Sequence, residues 1–249
     1  MKTEISADMP LGVIAAKYPQ TRFLMEQFAL DYCCGGQKTL GQGVIEAHRD
    51  PRQVLAALAA AIQDHSDEAI TDFTAFSAPR LVEHIESTHH LWLRQHLPRI
   101  SALIEKVRQA HAEAHGAMLR SLADVIDMLT ADISLHLEKE EQILFPYIHQ
   151  LDACLRNQAE MPPMHCGTVQ NPIRQMEYEH DQTGAALSKM RQITDNYHVP
   201  ADECETFKAL YDELQALELD LHQHIHLENN VLFPKAVALE NEVTHKNTT

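Results

Sequence analysis

Apolar residues recur at alternating steps of three and four along most of this chain, and four of the seams they draw carry a histidine. One runs through Leu119, Leu122, Ile126, Leu129, Ile133, His136, Glu140 and Ile143, and another through Leu210, Leu214, Leu217, Leu221, His224, Glu228 and Val231. A third is headed by His90 and continues through Leu93, Leu97, Ile100, Ile104 and Val107; the fourth holds His180 among Ile173, Met176, Thr183, Leu187 and Met190. This spacing predicts amphipathic helices that each bury one face. Ninety residues separate His90 from His180 and 88 separate His136 from His224, so the second half repeats the first. The order predicts an up-down-up-down four-helix bundle with pseudo-twofold symmetry. Alternating strand patterns are scarce and glycines number only eight, so the fold class is all-α.

Breaker residues divide this pattern. From Ala78 the segment APRLVEHIESTHHLWLRQHLPRISALIEKVRQ reads as one long helix bent at Pro98, which lacks a backbone donor. Pro162, Pro163, Gly167 and Pro172 mark Leu151 to Pro172 as the connection between the bundle halves. Pro146 and Pro234 fall near the ends of two histidine-bearing helices, each of which can continue past a kink. Upstream, PLGVIAAKYPQTRFLMEQFALDYCCGGQKTL reads as two short helices stopped by Gly35 and Gly36 after the cysteines, and a third helix starts at Pro51. The chain thus divides into an N-terminal helical domain at 1–66, a linker at 67–79, the bundle at 80–240 and a polar tail at 241–249 that is expected to lack order.

The repeated segments HLEKEEQILFP, from His136, and HIHLENNVLFP, from His224, each place a glutamate four residues after a histidine. On a helix that spacing brings imidazole and carboxylate onto one face, about one turn apart. A carboxylate buried on a seam costs several kcal/mol unless it is paired or bound to metal. A His–Glu hydrogen bond across helices would satisfy one copy, but two copies point to metal. Four histidines (His90, His136, His180, His224) and two glutamates (Glu140, Glu228) suffice for two ions, with each glutamate bridging or capping. Imidazole and carboxylate without thiolate suit iron or manganese better than structural zinc. The absence of H-E-x-x-H disfavours a zinc protease, and the spacing differs from the Glu-x-x-His pairs of ferritin-like bundles. Of the remaining histidines, His89, His222 and His226 point about 100° or more away from the seams and are read as exposed or supporting, while His84 and His96 lie off the His90 seam. Glu141 reads as solvated, and Glu179 as the better supporting or proton-relay candidate.

Charge and cysteine usage narrow the partners. A formal net charge of −16 repels phosphate backbones, which excludes direct nucleic-acid binding. There is no apolar window long enough to span a membrane and no signal core in MKTEISADMP, so a cytoplasmic protein with no membrane partner is expected. Five cysteines, an odd number, fit reduced thiols. Cys33 and Cys34 are adjacent, a geometry that strains a disulfide between them. Placed past a helix end and before two glycines they would be exposed, which suits reaction or soft-ligand binding; the alternative is a pair of small core residues. Cys154, Cys166 and Cys204 show no C-x-x-C spacing.

The order His90, His136-x-x-x-Glu140, His180, His224-x-x-x-Glu228 resembles the hemerythrin-like (HHE) family of non-haem di-iron bundles, in the branch with four histidines. Joined to D-Y-C-C-G-G in a small N-terminal domain and to the endings EEQILFP and ENNVLFP, it makes nearly the whole chain resemble the RIC (repair of iron centres) family, of the YtfE and ScdA type. The resemblance implies two iron ions in a carboxylate-bridged centre, with Glu140 and Glu228 as the bridges and Cys33 and Cys34 as a thiol pair with a role in the chemistry. It further implies damaged iron–sulfur cluster proteins as partners and nitric oxide or oxygen as small ligands. Repair after nitrosative or oxidative stress would proceed by iron donation, nitric oxide handling, or both; redox turnover and stoichiometric donation stay open, as does a homodimer. Two other readings remain: a hemerythrin-type oxygen or nitric oxide carrier or sensor, and a bundle whose buried polar residues only fix its register. The Leu151 to Pro172 connection, with Cys154, His165 and Cys166, is longer than the resemblance predicts and is read as a solvated loop.

Overall fold

The computed structural model describes residues 5–64, 71–157, 167–200 and 204–248, and among them there is no strand, only an isolated bridge between Pro10 and Thr39. The all-α reading holds. The N-terminal part contains α1 (Leu11–Lys17), α2 (Arg22–Gln27), α3 (Leu40–Glu46) and α4 (Pro51–Asp64). Of these, α3 has no counterpart in the apolar pattern; Thr39 and Gln42 start it with a reciprocal capping box. Leu11, Ile14, Met25, Tyr32, Leu40 and Leu58 form a small core of their own.

The bundle opens with α5 (Ala78–Ile85), whose N-cap Ser77 accepts from the Arg80 N–H and whose first turn holds Pro79, where a missing donor costs nothing. It runs on through a π turn into α6 (Leu91–Ala110), with Pro98 inside the helix. A tight reversal at His111 leads to α7 (Ala112–Lys139), continued by α8 (Phe145–Asn157). The second half comprises α9 (Gln170–Ile193), α10 (Glu205–Leu227) and α11 (Phe233–Thr248). Helix α6 packs on α7 and α10, α7 on α9, and α8 on both α5 and α11. Leu97, Ile104, Leu122, Ile126, Leu187 and Leu214 belong to one apolar core, and Leu81, Ile85, Ile148, Leu151 and Phe233 to another.

Two boundary expectations change. The tail from Asn241 continues α11 as far as Thr248, because Val243 is buried and Glu240 anchors the helix by accepting from the Tyr147 hydroxyl and the Val169 N–H. The connection from Leu151 to Pro172 is helical at both ends, with Cys154 buried in α8 and Pro172 in the first turn of α9; His165 and Cys166 lie outside the described residues.

Candidate metal centre

Three of the four histidine-bearing stretches loosen from α to π geometry around the candidate ligands. The N–H groups of Leu91, Phe145 and Phe233 reach back five residues to the carbonyls of Glu86, Glu140 and Glu228. Each π turn accommodates one extra residue and so rotates the downstream helix by about 100°. Ile143, expected on the buried seam, is consequently 48% exposed, and Leu144 takes the core position at 0%. Pro146 and Pro234 come directly after a ladder already opened by the π turn, so α8 and α11 extend beyond them instead of ending there.

His90, His136, Glu140, His180, His224 and Glu228 are all buried and fall into two overlapping groups. His90 and His224 share both glutamates on one side, and His136 and His180 share both on the other; within each group one ligand atom per residue lies within 4.8 Å of the others. Glu140 Oε2 stands 3.4 Å from Nε2 of His90 and of His136. Glu228 divides its oxygens, Oε2 lying 3.1 Å from His180 Nε2 and Oε1 2.9 Å from His224 Nε2. The donor set therefore fits two cations that share two carboxylates.

The polar atoms left over support that fit. Both oxygens of Glu140, Oε2 of Glu228 and Nε2 of His90 are buried without an aligned hydrogen-bond partner, an arrangement that costs several kcal/mol unless a cation supplies the missing contacts. Burial and the neighbouring Glu228 push Glu140 up to about 8. Against its own desolvation, Glu228 is held well below the usual carboxylate range by the imidazoles of His224 and His180. Glu228 and Glu140 overcome burial to push His180 up to about 9, whereas burial takes His224 down to about 3.

Outer hydrogen bonds orient three of the four rings. Nδ1 of His90 bonds Glu141 at 2.7 Å, Nδ1 of His136 bonds Glu179 at 2.9 Å, and Nδ1 of His180 bonds Asn229 at 2.8 Å. A proton on Nδ1 leaves the Nε2 lone pair facing inward. Glu141 is thus no merely solvated residue: it links His90 to Arg94. Glu179 also pairs with Lys139. His224 lacks a carboxylate at Nδ1; the His89 ring stacks parallel to it at 5.4 Å and bonds Asp220. His89 precedes His90 as Glu179 precedes His180, so the two halves differ at this position. The residues after the two glutamates, Glu141 and Asn229, are the sequence signal for the outer partners, since each faces the histidine of the preceding helix.

The Hemerythrin HHE cation binding domain matches residues 84–236, which include all six candidate ligands. A domain of unknown function, DUF542 (ScdA_N), matches residues 7–62. The iron-sulfur cluster repair protein YtfE of Enterobacter sp. is 36% identical over 233 residues, covering 94% of this chain and 98% of the relative. Those of Citrobacter koseri and Escherichia coli O157:H7 are 34% identical with the same coverage. The chain belongs to the RIC family.

Its RIC cysteine motif lies elsewhere than the helix end expected for it. Helix α2 stops at Gln27, and Cys33 and Cys34 follow in an irregular segment laid against the bundle. Cys33 is buried and donates to Asp31 Oδ1 at 3.3 Å; the two sulfurs are free and 4.0 Å apart. Cys34 is half-buried, its Sγ 3.6 Å from the His180 carbonyl oxygen. The expected exposure fails for Cys33, which is buried against the ligand helices, and holds only in part for Cys34. Asn229 and Asn230 donate to the Cys33 carbonyl at 3.4 and 3.1 Å, and Asn230 also to the Tyr32 carbonyl. Gly36 serves this approach and not a helix stop: a Cβ there would fall 2.2 Å from Asn230 Oδ1. His226, fully buried beneath Tyr32, and His222, bonded to Glu26, belong to the same seam between domain and bundle. Among the described residues no helix of this RIC chain is long and apolar enough to cross a membrane.

Proposed function

We propose that His90 and His224 on one side, His136 and His180 on the other, and Glu140 and Glu228 between them hold two iron ions in a non-haem centre. In this reading the chain works in the cytoplasm, restoring iron–sulfur clusters of client proteins damaged by nitrosative or oxidative stress. The observation that carries the metal assignment is the pair of fully buried carboxylates, each within 3.4 Å of imidazole nitrogens from two helices, with both oxygens of Glu140 and Oε2 of Glu228 left without aligned partners. The relatives that carry the words iron-sulfur cluster repair in their names support the assignment of role. Iron bound here would supply redox activity and an exchangeable Lewis acid. The carboxylates are hard donors that grip the reduced ion less firmly than the oxidised one, which favours donation on reduction. In this reading Cys34, whose Sγ lies 3.6 Å from the His180 carbonyl oxygen, and its neighbour Cys33 are the soft donors that receive iron or nitric oxide.

The second use is as a carrier or sensor of nitric oxide or oxygen; the cavity that Ile133, Leu221 and Ile225 line together with His136, His180 and His224 measures about 10 Å³, no more than one water needs, so this use requires the lining side chains to move. Anaerobically purified protein should carry two irons per chain, and the Glu140→Leu, Glu228→Leu double variant should fall below about one. An apo cluster protein supplied with the loaded chain as its sole iron source should then recover its cluster. Reversible gas binding without iron loss or cluster recovery would assign the chain to the second use instead.

A further inference from the structure

We propose a third cation site, separate from the bundle centre, in which Asp31, Cys33 and Cys34 bind one thiophilic divalent cation such as zinc, cobalt or ferrous iron. It does not rest on the dinuclear reading. The three residues offer a carboxylate oxygen and two sulfurs within 4.8 Å of one another. Cys33 Sγ is 3.3 Å from Asp31 Oδ1 and 4.0 Å from Cys34 Sγ. A tetrahedral ion with bonds of about 2.3 Å to sulfur and about 2.0 Å to oxygen spans about 3.8 Å between two sulfurs and about 3.5 Å between sulfur and oxygen. The observed edges therefore need little adjustment to close on such an ion.

The backbone holds this donor set in place. Asp31 Oδ1 accepts the Cys34 N–H at 3.0 Å, and the Cys33 carbonyl is fixed by Asn229 and Asn230. Gly35 leaves room for the carboxylate, since a Cβ would lie 2.9 Å from Asp31 Oδ2. In D-Y-C-C-G the ligands thus fall at the first, third and fourth positions, and the glycine supplies the space beside them. The motif opens onto a cleft of about 330 Å³ that Glu26, Asp181 and Arg191 also line, from which water or a client donor can fill a fourth position. The acidic excess of the whole chain favours cations there. Binding converts both thiols to thiolates bonded to the ion and releases two protons to solvent, while Asp31 contributes a carboxylate oxygen.

Cobalt(II) titration of the reduced full chain under anaerobic conditions tests the site. A thiolate-to-cobalt charge-transfer band should grow and level off at the intensity of one thiolate-bound cobalt per chain, a band that imidazoles and carboxylates cannot produce. Cys33→Ser and Cys34→Ser should abolish it. Asp31→Asn, conservative and exposed, should weaken binding by at least about tenfold, since even the loss of an outer partner costs that much. Helical circular dichroism and the cobalt d–d absorption of the bundle centre should persist in all three. No charge-transfer band in the wild type, or a band with unchanged affinity in Asp31→Asn, overturns the site. Its persistence in a chain with no bundle absorption would uphold the site and count against the dinuclear reading alone.

Discussion

At the scale of single residues the metal-free centre is a problem of proton sharing. Glu140 and Glu228 occupy corresponding places, yet Glu140 is pushed from 4.5 to about 8, while Glu228 is stabilised as an anion against His180. The folded chain therefore keeps a proton on Glu140 that the unfolded chain has released, and stability falls as pH rises from 4.5 toward 8. His180, raised from 6.5 to about 9, contributes stability that is complete below 6.5 and lost as pH rises through about 9. His224 and His226, both held near 3, weigh in the opposite direction but only below 6.5. Between pH 6.5 and 8 the metal-free chain should thus lose stability, by up to about 1.4 kcal/mol per pH unit for each proton involved. Urea midpoints measured across that window should fall for chelated protein and stay nearly level once iron replaces the protons. A level metal-free profile would mean that the two carboxylates are not buried together.

At the scale of elements, the four seams and the six residues gathered on them were legible from periodicity alone, because Leu97, Ile104, Leu122, Ile126, Leu187 and Leu214 repeat at helical spacing and are buried as that spacing requires. The π turns were not. Ile143 and Leu144 are both apolar, so the pattern accommodates either register, and Val231 and Leu232 hide the same shift by both being buried. A one-residue insertion leaves no trace in composition; it shows only in which neighbour faces inward. The register can be read by truncation. Leu144→Ala should cost about 2–5 kcal/mol and Ile143→Ala less than about 1 kcal/mol in urea unfolding, since only the first opens a cavity. The reverse order would restore an uninterrupted α-helix through Glu140 and remove the physical reason that α8 continues past Pro146.

At the scale of the whole molecule, the N-terminal domain is keyed to the bundle by Asn230, whose amide donates to the carbonyls of Tyr32 and Cys33 while its Oδ1 faces Gly36. Contacts between residues nearly 200 positions apart carry no periodic signal, and the sequence alone offered only the change from EEQ to ENN between the two copies of the repeat. Geometry makes the contact testable. In Gly36→Ala the new Cβ would meet Asn230 Oδ1 at 2.2 Å and Cγ at 2.8 Å, displacing the side chain and with it both hydrogen bonds. We expect a loss of about 1–3 kcal/mol, with faster amide exchange in α1 through α4 and little change in α7. Asn230→Ala should cost a similar amount, because it removes the same two hydrogen bonds and leaves the Cys33 carbonyl only the longer one from Asn229. Truncating Asn230, however, removes the three atoms nearest the added methyl, so the double variant should be hardly worse than either single one, with a coupling of about 1 kcal/mol or more. Strictly additive costs would show that the two positions act independently. Cys34 would then owe its place beside His180 to contacts other than this key.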